Sequence, residues 1–130
     1  MKKALIVWGG WSGHEPEQCA GIAANLLNKE GFEVEISATL DSYLDEKKMA
    51  SLSLVVPVWT MGAISAAQEK GLLAAVRGGG GIAGWHGGMC DSFREDTEYQ
   101  FMTCGQWVVH PGGATARYQV NIVNHEDPIT

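Results

Sequence analysis

Apolar positions fall along this chain in two rhythms. Lys3 to Trp8 and Leu52 to Val58 are short unbroken apolar runs, the pattern of strands buried on both faces. Phe32 to Ala38 alternates instead, with Phe32, Val34 and Ile36 against Glu33, Glu35 and Ser37, which predicts a strand nearer the sheet edge. Pro57 is expected to stop pairing in the second run. Helical spacing takes over between these runs. Pro16 suits a first helical position, Ala20, Ala23, Ala24 and Leu27 make an apolar stripe with Ile22 and Leu26 beside it, and Gly31 closes the helix. Thr39 to Ser51 reads as a loop and a short helix. Ser65 with Gln68 forms a capping-box pair that opens a helix ending at Arg77 and Gly78.

The later part continues the alternation. Gly81 to Gly84 is a short apolar strand, expected at the centre of the sheet, and it runs into a glycine-flanked turn, Gly84-x-His86-x-Gly88. That spacing has the form of a nucleophile elbow, a strained strand-to-helix turn that lifts one side chain above a parallel sheet. Its central residue here is a histidine rather than Ser or Cys. Gly78 to Ala83 also satisfies G-x-G-x-x-A, but the dinucleotide fingerprint needs those glycines after a strand and before a helix; here they follow a helix, so they make a turn. A short helix is expected around Phe93 to Phe101, an extended segment over Gln106 to Gly113 closed by Pro111-Gly112, and a strand over Tyr118 to Val123, followed by a polar tail, Asn124 to Thr130.

This order predicts an α/β layer fold with a mostly parallel sheet. Ligands in such folds gather at the carboxyl ends of the strands, so the loops Gly9 to His14, Trp59 to Gly62 and Trp85 to Cys90 should share one rim.

Composition narrows the function classes. One hundred and thirty residues suit one domain, and 45% apolar residues can build a core. The net charge of -6, without a basic run, argues against nucleic acid and against an anionic membrane surface. No stretch is long enough to span a bilayer. Cys19, Cys90 and Cys104 are an odd set without metal-ligand spacing, which fits reduced thiols in a cytoplasmic protein.

Four motifs then stand in order: Gly10-Trp11-x-Gly13-His14-Glu15-Pro16, Val58-Trp59-Thr60-Met61-Gly62, Gly84-Trp85-His86-Gly87-Gly88-Met89-x-Asp91-x-Phe93-Arg94, and Gln106-Trp107-x-x-His110-Pro111-Gly112-Gly113. Together they resemble the ThuA-like (trehalose-utilisation) family over essentially the whole chain. The resemblance implies a flavodoxin-like, class I glutamine amidotransferase-like three-layer fold. It also implies one domain over residues 1–130 that lacks the family's usual C-terminal part. Cys104 departs from the pattern, since the family more often has a glycine there. In true amidotransferases the central residue of the elbow is a cysteine; His86 in its place implies that glutamine hydrolysis by that route is absent. Cys90 lies past the turn and is the weaker nucleophile candidate.

The resemblance implies a carbohydrate ligand, trehalose or a related disaccharide or keto-sugar. His86 would act as acid/base, assisted by His14 and Asp91. Trp11, Glu15, Trp59, Thr60, Trp85, Gly87 and His110 would contact the sugar. Two readings stand for the histidines. His14, His86 and His110 could hold a divalent metal such as Zn, Mn or Fe(II), or each could be satisfied by backbone or sugar hydroxyls. Asp91 could equally pair with Arg94 one turn on. The tryptophans could instead close the core under the glycine loops. The alternative function is a non-catalytic sugar-binding or regulatory module, and a homodimer is the expected assembly.

Overall fold

The computed structural model describes residues 1–127; Pro128, Ile129 and Thr130, part of the expected polar tail, lie outside it. Four strands, β1 (Lys2–Gly10), β2 (Phe32–Ser37), β3 (Leu54–Thr60) and β4 (Gly81–Ile82), form one sheet in the order β2-β1-β3-β4. Every pair is parallel, with Ala4 opposite Leu54 and Val34, and Leu54 opposite Gly81. This is the beginning of the doubly wound order 2-1-3-4-5, in which the chain changes direction between β1 and β3.

Helices cover both faces: α1 (Pro16–Lys29) on one, and α2 (Glu46–Ser51), α3 (Ala66–Arg77) and α4 (Thr97–Thr103) on the other. Alternation along β1 decides which residue goes where. Ile6 packs with Ala20 and Ala24 of α1 and with Val56 and Val58. Leu5 and Val7 turn the opposite way, onto Tyr43, Met49, Leu72, Ala75, Phe93 and Tyr99. Leu5, Ile6 and Val7 are fully buried, and each contributes about 1.5–3 kcal/mol of apolar burial. The result is the expected three-layer α/β fold. The Ser65/Gln68 capping box is complete at the start of α3. In α1 the expected stripe faces the sheet, with Ala20 and Ala24 buried and Ala23 and Leu27 packed beside them, while Ile22 and Leu26 face water.

Three expectations are corrected. Pairing does not stop at Pro57, which sits opposite Val7 in the middle of β3. The Val55 and Trp59 carbonyls, on either side of it, accept hydrogen bonds from the Ala83 N–H and the Ser92 hydroxyl on the β4 side. Pro57 therefore turns its missing N–H toward that side, away from the β1 ladder, and β4 has already ended at Ile82. Second, β4 is two residues long and lies at the edge of the described sheet. Beyond it the segment Met89 to Phe93 takes over beside β3 through a Met61–Ser92 bridge. Third, Tyr118 to Val123 forms no strand; alternation gives it one apolar face, but no described strand pairs with it, and Tyr118, Val120, Ile122 and Val123 are exposed. The helix expected around Phe93 begins later, at Thr97, with the Asp96 carboxylate accepting from the Tyr99 N–H as its cap. No helix among the described residues is long and apolar enough to cross a membrane.

Candidate functional site

The carboxyl ends of β1 and β3 meet at the point where the strand order reverses, and the loops that leave them carry most of the motif residues. β1 keeps its extended form through Gly10, two residues further than its apolar run, because Gly9 lies opposite Trp59 and Gly10 opposite Thr60. The chain then makes a single 3-10 turn, Ser12–His14, and enters α1 through Glu15 in a left-handed conformation with φ 48°. Met61 (φ 58°) and Phe93 (φ 49°) are left-handed too, and they bracket the Met61–Ser92 bridge, in which the Met61 N–H donates to the Asp91 carbonyl at 2.8 Å. Non-glycine residues in this region cost on the order of 1–2 kcal/mol each, so the rim loops carry strain that the layers beneath them hold in place.

Across this rim the histidines come together. The His14 ring centroid is 6.1 Å from that of His86, and His86 is 5.4 Å from His110. Two indoles flank the row: Trp11 stands edge-on to His14 at 4.7 Å, and Trp107 lies over His86 at 4.4 Å and against His110 at 4.5 Å. His14 is half-buried and anchored, with Nδ1 2.9 Å from the Thr60 hydroxyl, which in turn donates to the Gly87 carbonyl at 2.6 Å. The Cys19 thiol, in the first turns of α1, donates to the His14 carbonyl at 3.4 Å. His86 is exposed, held by ring contacts.

The turn carrying His86 differs from a nucleophile elbow. The strand ends at Ile82, the left-handed conformation falls on Gly87 (φ 84°) rather than on His86, and a 3-10 turn, Met89–Asp91, follows in place of an α-helix. His86 reaches the rim through ring packing instead of backbone strain. A Cβ at position 87 would also crowd the His14 ring, lying 3.1 Å from its Nδ1.

Several expected contacts sit elsewhere. Asp91 is buried, and its carboxylate accepts a fork from Arg94, Nε at 2.6 Å and a terminal nitrogen at 3.2 Å. That hydrogen bonding pushes the guanidinium above its ordinary range, and its face lies 5.9 Å from the Trp107 ring. Asp91 thus lies under the rim, in the pairing with Arg94 that the spacing of the two residues allowed. Thr60 is fully buried, with its hydroxyl engaged on both sides, so it supports the site instead of touching a ligand. Trp59 packs against the core and over Phe93 at 6.5 Å, beneath Gly9 and Gly62, where a Cβ would collide with its ring. Trp11, Glu15 and Trp85 are exposed at the rim.

Trp107, a motif tryptophan placed behind Trp11 and Trp59 as a ligand contact, is the indole that packs on two of the histidines. Its signal was the spacing Trp107-x-x-His110, which sets both rings against His86. Trp107, His86 and Cys90 line a cavity of about 250 Å³ with Thr103, Gly105 and Gln106. A larger cavity, about 590 Å³, opens among Tyr43, α2 and α3, but no histidine borders it. Among the described residues no group of three or more His, Cys, Asp or Glu side chains is placed to hold a metal ion.

Comparison with known proteins gives one match: the family ThuA, trehalose utilisation, over residues 3–130. No curated protein and no solved structure matches the chain.

Proposed function

The chain belongs to the ThuA (trehalose utilisation) family, and from that membership we propose that its rim binds and processes a disaccharide, trehalose or a keto derivative of it. The observation that carries this reading is the unbroken row of rings, Trp11, His14, His86, Trp107 and His110, at the point where the strand order reverses. Indole faces suit the C–H faces of a sugar, and imidazoles supply both donors and acceptors to its hydroxyls. His86, an exposed ring and the one in contact with both other histidines, takes the acid/base role. With a histidine where a glutaminase would carry its cysteine, the chemistry is directed at sugar rather than at glutamine.

Calorimetric titration with trehalose and with its keto derivative tests the proposal. Binding is expected in the wild type, with at least tenfold weaker affinity in Trp107→Ala and in His86→Ala. Absence of binding to either sugar would overturn it. The second reading is a sugar-binding module without turnover. Proton NMR of the bound sugar over hours separates the two: new sugar signals mean catalysis, and an unchanged spectrum means binding alone.

A further inference from the structure

We propose that Thr60 is the positioning residue of the rim: it keeps hydrogen on Nδ1 of His14 and so presents the Nε2 lone pair as a standing acceptor for a ligand hydroxyl. The argument is a count of hydrogens. The Thr60 hydroxyl has one, and the Gly87 carbonyl 2.6 Å away can only accept it. The oxygen therefore turns a lone pair toward His14, and the ring nitrogen 2.9 Å away must be an N–H. Thr60 is fully buried, so no bulk water can exchange places with either partner. In the neutral ring a hydrogen on Nδ1 leaves Nε2 bare.

The same hydroxyl ties three segments together. His14 follows β1, Thr60 ends β3, and Gly87 lies in the turn beside His86. Gly87 can aim its carbonyl at Thr60 because it is left-handed and has no Cβ to meet the His14 ring. His14 is thereby a fixed acceptor beside His86 and His110, which ring contacts hold. A fixed acceptor selects a ligand that brings hydrogen to it, as a sugar hydroxyl does and a carboxylate does not. The ligand class rests on the sugar reading given above; the position of the hydrogen does not.

Long-range proton–nitrogen NMR on the nitrogen-labelled chain reads the ring state directly, with His14→Ala identifying its signals among four histidines. In alkaline buffer, His14 is expected to show hydrogen on Nδ1 in the wild type and in Thr60→Ser. Thr60→Val, which keeps the shape and lacks the hydroxyl, should lose that preference and bind trehalose about tenfold more weakly. A wild-type His14 with hydrogen on Nε2 would overturn the inference, as would an unchanged pattern in Thr60→Val. Should Thr60→Val fail to fold, the wild-type and Thr60→Ser spectra decide the matter alone. Trehalose should shift the His14 Nε2 signal. An unmoved signal with the hydrogen still on Nδ1 supports the positioning role of Thr60 and discards the disaccharide.

Discussion

Arg94 reaches in two directions, gripping the buried Asp91 carboxylate with two nitrogens and laying its face over Trp107. Removing it strands a carboxylate in the interior. A broken buried pair costs about 3–5 kcal/mol, but the Arg94 side chain is 40% exposed, so water screens part of the loss. Arg94→Met should therefore cost about 2 kcal/mol in urea unfolding, and adding Asp91→Asn should recover most of it; an additive pair of losses would show that the two residues do not interact. At this scale the sequence was informative about position and much less so about role. His14, His86 and His110 stood out because glycines flank them, and the rim does bring them together. Thr60 was read as facing the ligand because it lies in the same motifs, whereas the spacing of Asp91 and Arg94 already allowed the pairing that the structure shows. The hydrogen-bond partners of Thr60 are 46 and 27 residues away, and its burial comes from packed layers that no local pattern encodes.

Two helical glycines separate propensity from packing. Gly21 in α1 has open space where a Cβ would go, whereas a Cβ on Gly71 in α3 would overlap the Tyr43 carbonyl of the 3-10 turn Leu40–Leu44. Alanine gains about 0.5–1 kcal/mol in a helix over glycine in either place. Gly21→Ala should thus raise the thermal midpoint. Gly71→Ala should lower it, with an overlap costing about 1–3 kcal/mol. Equal effects at the two positions would mean that α3 can slide away from that turn. The same contrast explains which elements were legible. The starts of α1 and α3 are written within one turn, in Pro16 and in Ser65 with Gln68. Strands depend on neighbours far along the chain: Pro57 is tolerated because β4 has already stopped, and Tyr118 to Val123 stays unpaired despite a clean alternation.

For the whole molecule, the layer under α3 and α4 keeps two tyrosines out of water. Tyr43 and Tyr99 are both buried, and that burial is the main force pushing their hydroxyls above the ordinary value of 10.0; the neighbouring Tyr99 adds to the effect at Tyr43. The folded chain therefore keeps two protons that the unfolded chain releases. Stability from this source is intact below pH 10 and falls as the pH rises through it, by up to about 2.7 kcal/mol per pH unit. Tyrosinate absorbance from these two residues should rise together with the loss of circular dichroism; ionisation well before unfolding would contradict their burial.

The strand order has a further consequence, in time. β1 has neighbours on both sides, and one of them, β2, follows soon after it, starting at Phe32. Its other neighbour is β3, where Ala4 waits for Leu54 and Ile6 for Val56. At about 5–20 residues per second, a ribosome needs roughly 3–10 s to deliver those partners. Through that interval one edge of the buried apolar run of β1, Ala4 to Val7, has its backbone donors and acceptors unpaired. The newborn chain is at its most adhesive before the segment that protects it has been translated.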